Sequence, residues 1–319
     1  MRGGAPFFSL LPVLNECADE FVAGMEGKWR NQTHRNQWVM TLTRYTEEIR
    51  PMPVNMVETA VVLRVLKPLW QRIPETAARL RSRIEKVLDA ARAKGYREGE
   101  NPACWRGHLE TLLPPRQRLT RGHYAAMHYA ELPNFMARLR AREGMAAQAL
   151  EFAILTAARS GEVLGARWSE IDLEAKVWTV PATRIKAGRE HRVPLSAPAL
   201  AIIEAMQTAR VSDYVFPGYR PGRPLGDMAL HMVLERMEVP FTVHGFRSTF
   251  RDWCGEATNF PREVAEAALA HVVGDQTERA YRRGDALEKR RKLMDAWAAH
   301  CEPKASNVIA LTSLGLETR

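Results

Sequence analysis

Residues 177–196, VWTVPATRIKAGREHRVPLS, carry a β interruption in a second half of the chain that otherwise reads as mostly helical. Val177 to Pro181 and His191 to Leu195 are predicted as two strands, joined by a loop around Ala187-Gly188. This pattern places Lys186 near the tip of a hairpin. A lysine at such a tip is most often a solvated charge, so the hairpin by itself assigns Lys186 no chemistry.

The stretch before the hairpin, EFAILTAARSGEVLGARW at residues 151–168, predicts a helix junction. Its apolar helix is expected to end at Arg159, and Ser160-Gly161 then turns the chain into a short second helix that carries Glu162. An arginine at a buried junction needs a partner, and Glu162 is the natural one. An internal salt bridge and a functional pair are both compatible with this pattern.

The stretch after the hairpin, TVHGFRSTFRDWCGE at residues 242–256, predicts a helix with Thr242 as N-cap. His244 and Arg247 are three residues apart, so both project from the first turns of that helix. Helix N-termini favour anions. An H-x-x-R motif in an arginine-rich chain is nevertheless a weak signal.

A tyrosine in a cationic setting ends this series. In LAHVVGDQTERAYRRGD, residues 269–285, His271 closes an apolar run and Tyr281 lies among Arg279, Arg282 and Arg283. A free tyrosine has a pKa near 10, so ionising it at pH 7 costs roughly 4 kcal/mol. Nearby cations and a histidine base reduce that cost, which suits a nucleophile.

The first half contains helices with a basic face. In ETAARLRSRIEKVLDAARAKGY, residues 75–96, one face is apolar, and Gly95 is the expected helix stop. The apolar face comprises Leu80, Ile84, Val87, Leu88 and Ala91, and the other face comprises Arg79, Arg83, Lys86 and Lys94. WRNQTHRNQWVMTLTRY, residues 29–45, has a similar mixture and includes Arg35. One basic face is usually solvated surface, but two favour a DNA clamp, because cations replace counterions along the phosphates.

Composition limits the class of protein. The chain has 319 residues, a formal charge of +9, 46% hydrophobic and 26% charged residues, which indicate a globular protein with a polyanionic partner. A membrane surface or plain solubility would fit the same charge. The four cysteines are far apart, so neither a disulfide scaffold nor a zinc cluster is expected, and no apolar run is long enough for a membrane span. These features predict a cytoplasmic protein.

Pro114-Pro115 and the basic run after them predict a boundary between two domains. The expected divisions are a leader at 1–12, a helical domain at 13–113, a linker at 114–125, a second domain at 126–302 and a tail at 303–319.

The order of these residues resembles the tyrosine recombinase family, the phage-type integrases. GHYAAMHYAELPNFM, VPLS and AYRRGDALEKRRKLMDAW are especially similar to integrases of prophages and genomic islands, and residues 74–103 resemble the core-binding domain of that subgroup. The resemblance implies a mainly α fold: a helical core-binding domain followed by a mostly helical catalytic domain with a small β hairpin.

The resemblance also implies roles for individual residues. Arg159 and Arg247 would hold the scissile phosphate, Lys186 would be a general acid, and His244 a general acid or base. His271 matches the second histidine, Tyr281 the nucleophile, and Glu162 an acidic residue that orients its neighbours. DNA contacts are expected from the following residues: Arg35, Arg79, Arg83, Lys86 and Arg184.

The implied activity is site-specific cleavage and rejoining of double-stranded DNA at attachment sites through a 3′-phosphotyrosyl link, without metal, cofactor or ATP. The expected assembly is a homo-tetramer on DNA in the bacterial nucleoid, with an excisionase or a DNA-bending host factor as further partners. Two alternatives stay open: a DNA-binding regulator or relic without strand transfer, and a type IB topoisomerase.

Members of this subgroup usually begin with a small domain that binds arm-type DNA sites. The sequence given starts almost directly at the region that resembles the core-binding domain. The expectation is a shortened integrase, a relic or a fragment, and arm-site-dependent integration is therefore in doubt.

Overall fold

The computed structural model describes residues 11–29, 32–115, 125–185, 188–271 and 285–303. The chain divides into two compact units, Met1–Thr120 and Arg121–Arg319, each with its own hydrophobic core. This division falls inside the stretch expected to be a linker, and the finer domain limits stay predictions.

The described part of the first unit is mostly helical, with one isolated antiparallel β-bridge between Val13 and Pro53. Its α-helices are α1 (Leu14–Gly24), α2 (Gln32–Arg44), α3 (Thr59–Arg72), α4 (Pro74–Ala93) and the single turn α5 (Glu110–Leu112). Short 3₁₀ turns lie at Glu26–Lys28 and Val54–Met56, and a π turn at Trp105–Leu109 leads into α5.

Helix α4 forms the centre of this unit, because its apolar stripe is covered from several sides. Pro74 occupies the first turn, where its missing N–H costs nothing, and Gly95 follows the helix with φ +74°. The five residues of the predicted apolar face are all buried: Leu80, Ile84, Val87, Leu88 and Ala91. The predicted helix, its buried face and its stop are confirmed.

The second unit packs helices around one small sheet. Its described helices are α6 (Leu132–Arg140), α7 (Met145–Thr156), α8 (Ser160–Leu164), α9 (Ala197–Thr208), α10 (Ala229–Arg236), α11 (Gly245–Glu256), α12 (Arg262–Ala268) and α13 (Leu287–Cys301). Short 3₁₀ turns lie at Tyr129–Glu131, Trp168–Glu170 and Ala182–Arg184. No helix among the described residues is long and apolar enough to cross a membrane.

The sheet has three antiparallel strands in the order β1 (Ile171–Asp172), β2 (Val177–Val180) and β3 (His191–Pro194). Trp178 pairs with Val193, and Val180 pairs with His191. The predicted strand pair is confirmed, and so is the mainly helical fold class with a small sheet. Lys186 lies outside the described residues.

Helix α7 is the buried axis of the second unit. All residues from Ala149 to Thr156 are buried, and Phe152 packs against Trp178 and Phe216. The helix ends at Thr156 and not at Arg159, because Ala157 adopts the left-handed conformation with φ 49°. The chain therefore leaves the buried helix just before Arg159, and the Arg159 side chain is partly exposed.

Candidate active site

Arg159 is held at the start of α8 by Glu162. The Glu162 carboxylate accepts the Arg159 backbone N–H at 3.0 Å and its Nη1 at 2.8 Å. The Glu162 side chain is only 4% exposed, whereas that of Arg159 is 28% exposed. The buried carboxylate thus fixes the guanidinium of Arg159, which stays partly exposed.

Arg247 is buried on the first turns of α11. Its Nη1 donates to the Ala157 carbonyl, and its Nη2 donates to the Leu269 carbonyl at 2.7 Å. Burial, together with the positive charge of Arg159, lowers the pKa of Arg247 to about 10. Two guanidinium charges that repel each other in this way favour the binding of an anion near both.

His244 lies one residue before α11. Burial of its ring lowers its pKa, and the charges of Arg247 and Arg159 act in the same direction. His244 is therefore neutral at pH 7 and can accept a proton. The predicted N-cap at Thr242 is wrong, because α11 has its N-cap at His244, which makes no side-chain cap hydrogen bond. The Thr242 hydroxyl, two residues earlier, accepts the Gly245 N–H at 3.0 Å.

Gly245 determines how closely α11 approaches the chain at Ala125. A Cβ atom at this position would lie 2.3 Å from the Ala125 carbonyl oxygen, which is backbone and cannot rotate away. The Thr242 N–H also donates to that oxygen at 3.1 Å. The glycine between His244 and Arg247 is thus required for the placement of both side chains.

His271 is oriented by Glu266, which the sequence analysis missed. The His271 Nδ1 lies 2.7 Å from Glu266 Oε2, and Arg251 Nε donates to Glu266 Oε1 at 2.6 Å. Because the carboxylate only accepts, Nδ1 carries the proton and Nε2 faces Arg247 Nη2, at 3.4 Å, as an acceptor. Burial raises the pKa of Glu266, but the hydrogen bonds of His271 and Arg251 outweigh it, so the pKa is lowered. The spacing of Glu266 and His271 across the end of α12 was the available signal.

His191, at the start of β3, is a second residue whose setting the sequence did not reveal. Burial, followed by the positive charge of Arg290, lowers the pKa of His191 to about 4. The charges of Glu162 and Arg247 also act on this ring, and it is hydrogen-bonded to the Ala268 backbone. His191 is therefore a neutral, mostly buried side chain beside the candidate site.

The described part of the site brings together two guanidiniums and two imidazoles. Arg159 acts electrostatically on both Arg247 and His244, and Arg247 contacts His271. Two arginines can bind the non-bridging oxygens of a phosphate as paired donors, and the histidines can move protons beside it. The site is therefore suited to a phosphodiester.

The structure brings together five of the residues that the resemblance implies, and their roles stay predictions: Arg159, Glu162, His244, Arg247 and His271. Lys186 and Tyr281 lie outside the described residues. Within the described ranges there is no group of three His, Cys, Asp or Glu side chains arranged to hold a metal ion.

Arg184, a predicted DNA contact, makes hydrogen bonds inside the second unit. Its Nη2 donates to the Glu162 carbonyl at 2.9 Å and to Glu170 Oε2 at 3.1 Å. Its Nη1 packs so closely on α8 that a Cβ at Gly165 would overlap it. The Nη2 group of Arg184 is therefore engaged by internal acceptors, and the DNA contact of this residue stays a prediction.

Arg83, in the first unit, is a correction to the predicted basic face. It is 7% exposed, its Nη1 donates to the Gln37 carbonyl at 2.6 Å and to the Thr41 hydroxyl, and it lies over the Trp38 ring. Its predicted place on an exposed basic face is wrong, because α2 covers that side of α4.

The other predicted DNA contacts of the first unit remain available at the surface. Lys86 is exposed, and Arg79 is 55% exposed beside Glu75. Arg35 is 34% exposed and pairs with Glu26 Oε1 at 2.9 Å. Arg79 and Lys86 are thus exposed on the basic face of α4.

Comparison with known proteins assigns both units. Residues 14–108 match the phage integrase central domain, and residues 126–288 match the model of the phage integrase family, which spans half of the chain. The chain belongs to the phage integrase family.

Curated relatives of this integrase family member include prophage integrases of Escherichia coli (strain K12). IntA is 32% identical over 273 residues, which is 83% of this chain and 64% of IntA. IntZ is 34% identical over 245 residues, which is 74% of this chain and 58% of IntZ. The integrase of Enterobacteria phage P4 is 25% identical over 307 residues, 89% of this chain and 68% of that protein. The chain thus spans about three fifths of the length of the first two relatives.

Solved structures with the same fold include two DNA complexes. A lambda integrase dimer bound to a COC′ core site aligns with a TM-score of 0.64 at 15% identity, covering 82% of this chain and 96% of that one. The Tn1549 transposon integrase in complex with circular intermediate DNA aligns with a TM-score of 0.62 at 13% identity, covering 88% and 99%. At these identities the likeness establishes the fold.

Proposed function

We propose that this integrase family member is a site-specific tyrosine recombinase that cleaves and rejoins double-stranded DNA to integrate or excise a mobile element. The observation that carries the proposal is the convergence of Arg159 and Arg247 with His244 and His271 beside the buried Glu162. Such a set can clamp one phosphate and serve proton transfer around it.

The proposed reaction is a transesterification. The Tyr281 phenol oxygen forms a bond to phosphorus while the bond from phosphorus to the 5′ oxygen breaks. His244 accepts the phenol proton, since its lowered pKa leaves it neutral, and Lys186 gives a proton to the leaving 5′ oxygen. Arg159 and Arg247 stabilise the charge on the non-bridging oxygens.

The reverse step rejoins DNA when the 5′ hydroxyl of another strand attacks the 3′-phosphotyrosyl bond. One phosphoester is exchanged for another in each direction, so the proposed cycle consumes no ATP. The guanidiniums supply the positive charge that a metal ion supplies in other phosphoryl transfers, so the proposal includes no metal.

The proposed substrate is an attachment site bound by both units, with Arg79 and Lys86 on the backbone phosphates. The proposed active assembly is a homo-tetramer in the bacterial nucleoid, by analogy with a lambda integrase tetramer bound to a Holliday junction. An excisionase or a DNA-bending host factor would determine whether the proposed reaction integrates or excises the mobile element.

Covalent trapping tests this function. Wild type and Tyr281→Phe are incubated with nicked duplexes tiled across the DNA that flanks the coding sequence, and denaturing gels are examined for protein–DNA bands. A band with wild type alone supports the proposal. Binding of the same duplexes without a band overturns it in favour of a DNA-binding regulator.

A second readout separates recombination from topoisomerase activity. Two duplexes of different length that both give the covalent band are incubated together with wild type. Recombinant lengths support site-specific strand exchange. Relaxation of supercoiled DNA without recombinant products overturns it in favour of a type IB topoisomerase.

A further inference from the structure

Arg290 on α13 is a buried cation that the proposed chemistry does not use. It is 1% exposed and is among the largest fully buried side chains of the described residues. Burying a guanidinium is costly unless its donors are well paired. The hydrogen-bond partners of the buried Arg290 guanidinium therefore indicate its role.

The three donor groups of Arg290 connect two separate stretches of chain. Nε donates to the Asp285 carbonyl at 2.8 Å, and Nη2 donates to Asp285 Oδ2 at 2.8 Å. Nη1 donates to the Arg192 carbonyl on β3. The Arg192 guanidinium adds a longer contact of 3.6 Å to the same Asp285 carboxylate. We name the contacts of Arg290 with Asp285 and the Arg192 carbonyl the Arg290 clamp.

The two stretches joined by the Arg290 clamp follow the two catalytic residues that lie outside the described ranges. Asp285 comes four residues after Tyr281, and β3 begins five residues after Lys186. Four residues of chain reach at most about 14 Å, so a fixed Asp285 limits where the tyrosine can be. The clamp thus joins Asp285, which follows Tyr281 in the sequence, to strand β3, which follows Lys186.

We propose that Arg290 and Asp285 are positioning residues for strand cleavage, because they fasten to β3 the point of the chain, Asp285, that follows Tyr281 by four residues. This inference rests on the proposed function. It assigns the two residues no contact with DNA and no proton transfer: they act by reducing the number of arrangements that the nucleophile can adopt.

A purely structural role of Asp285 makes a different prediction. Its Oδ1 also accepts the Leu287 N–H at 3.1 Å, as a cap for α13. Asp285→Asn keeps an oxygen for that cap but loses the charge opposite Arg290, whereas Asp285→Ala loses both. The asparagine variant therefore separates the clamp from the cap.

The test measures single-turnover covalent cleavage of the nicked duplex, DNA affinity by band shift and thermal unfolding in each variant. The clamp predicts that Asp285→Asn and Asp285→Ala cleave at least about tenfold more slowly at unchanged affinity, because a charge-assisted hydrogen bond is lost. Glu288→Gln is the matched control, since Glu288 is exposed one turn further along and pairs only at 3.5 Å with Arg291 among its described contacts. It should cleave at the wild-type rate.

A double-mutant cycle with Arg290→Met tests the pairing itself. The clamp predicts that Asp285→Asn has little further effect on cleavage when Arg290 is already replaced. If Arg290→Met does not fold, the cleavage rates of three other variants are sufficient to test the clamp: Asp285→Asn, Asp285→Ala and Glu288→Gln.

Cleavage by Asp285→Asn at the wild-type rate overturns the clamp and leaves the proposed function intact. Equal losses in Glu288→Gln and Asp285→Asn also overturn it, because they point to general damage at the start of α13. Absence of a covalent band with wild type overturns the proposed function and the clamp together.

Discussion

At the scale of single residues, Glu266 controls the orientation of His271. Its carboxylate contacts Nδ1 of His271 and Nε of Arg251, so Nε2 of His271 is turned towards Arg247. We expect Glu266→Ala to lower the rate of DNA cleavage by about 10–100-fold, since the lost bonds involve charged groups.

The conservative variant provides the check on this prediction. Glu266→Gln keeps an amide oxygen that can accept the Nδ1 proton and should recover part of the rate in the single-turnover assay. Glu263→Ala, exposed on the same helix, serves as the control. Equal rates for Glu266→Ala and wild type would show that His271 needs no such support.

His191 predicts a pH dependence of stability. Its pKa is about 4 in the folded protein, against 6.5 normally, so only the unfolded chain gains a proton as the pH falls below 6.5. The stabilising contribution is complete above pH 6.5 and is lost as the pH falls towards 4, to a total of about 3 kcal/mol. Denaturant unfolding of wild type and His191→Gln at pH 7 and pH 5 measures the difference.

The matched control for this effect is His231→Gln, because His231 is exposed on α10. The difference in free energy of unfolding between wild type and His191→Gln should be smaller at pH 5 than at pH 7. The free energy of unfolding of His231→Gln should follow that of wild type at both pH values. If this difference in free energy of unfolding did not change with pH, burial in the folded protein would not be keeping His191 neutral.

At the scale of elements, α11 is placed by a backbone contact. Gly245→Ala would set a methyl group against the Ala125 carbonyl, and neither backbone can yield without moving His244 and Arg247. We expect a loss of about 1–3 kcal/mol in the free energy of unfolding and a larger proportional loss of cleavage. Gly226→Ala is the control, because no heavy atom lies within 4 Å of a Cβ there. Similar unfolding of both variants would contradict the close contact.

The two helices α4 and α11 show how far local pattern reaches. The apolar stripe of α4 follows from spacing along the chain and is confirmed, whereas the N-cap of α11 lies at His244 and not at the predicted Thr242. The burial of Arg83 does not follow from spacing along α4. It depends on α2, whose Gln37 carbonyl and Thr41 hydroxyl accept hydrogen bonds from the Arg83 guanidinium. Periodicity shows which residues share a face but not what covers that face.

At the scale of the whole molecule, the charge of +9 predicts salt-sensitive binding of DNA. With six to ten phosphate contacts, affinity should fall by about 10³–10⁵ between 50 and 200 mM salt. Replacing Arg79 and Lys86 together by glutamine should reduce the slope of log affinity against log salt by about 2. Band shifts over a salt series measure this slope.

The buried Arg83 supplies the contrast to these exposed cations. Arg83→Gln should lower the free energy of unfolding by about 2–4 kcal/mol and leave the salt slope unchanged below the unfolding temperature. A slope that falls with Arg83→Gln and not with the Arg79 and Lys86 pair would reverse the assignment of the DNA-facing side of α4.

The sequence by itself determined the mainly helical class and the strand pair around β2 and β3, because hydrophobic period and turn residues are properties of the chain read in one direction. The set of Arg159, Glu162, His244, Arg247 and His271 was implied by the resemblance of the sequence to the tyrosine recombinases. The tertiary structure decided the inward turn of Arg184, the burial of His191 and Arg290, and the support of His271 by Glu266. Each of these depends on which elements pack together, because the cost of burying a charge or a ring is set by partners that are distant along the chain.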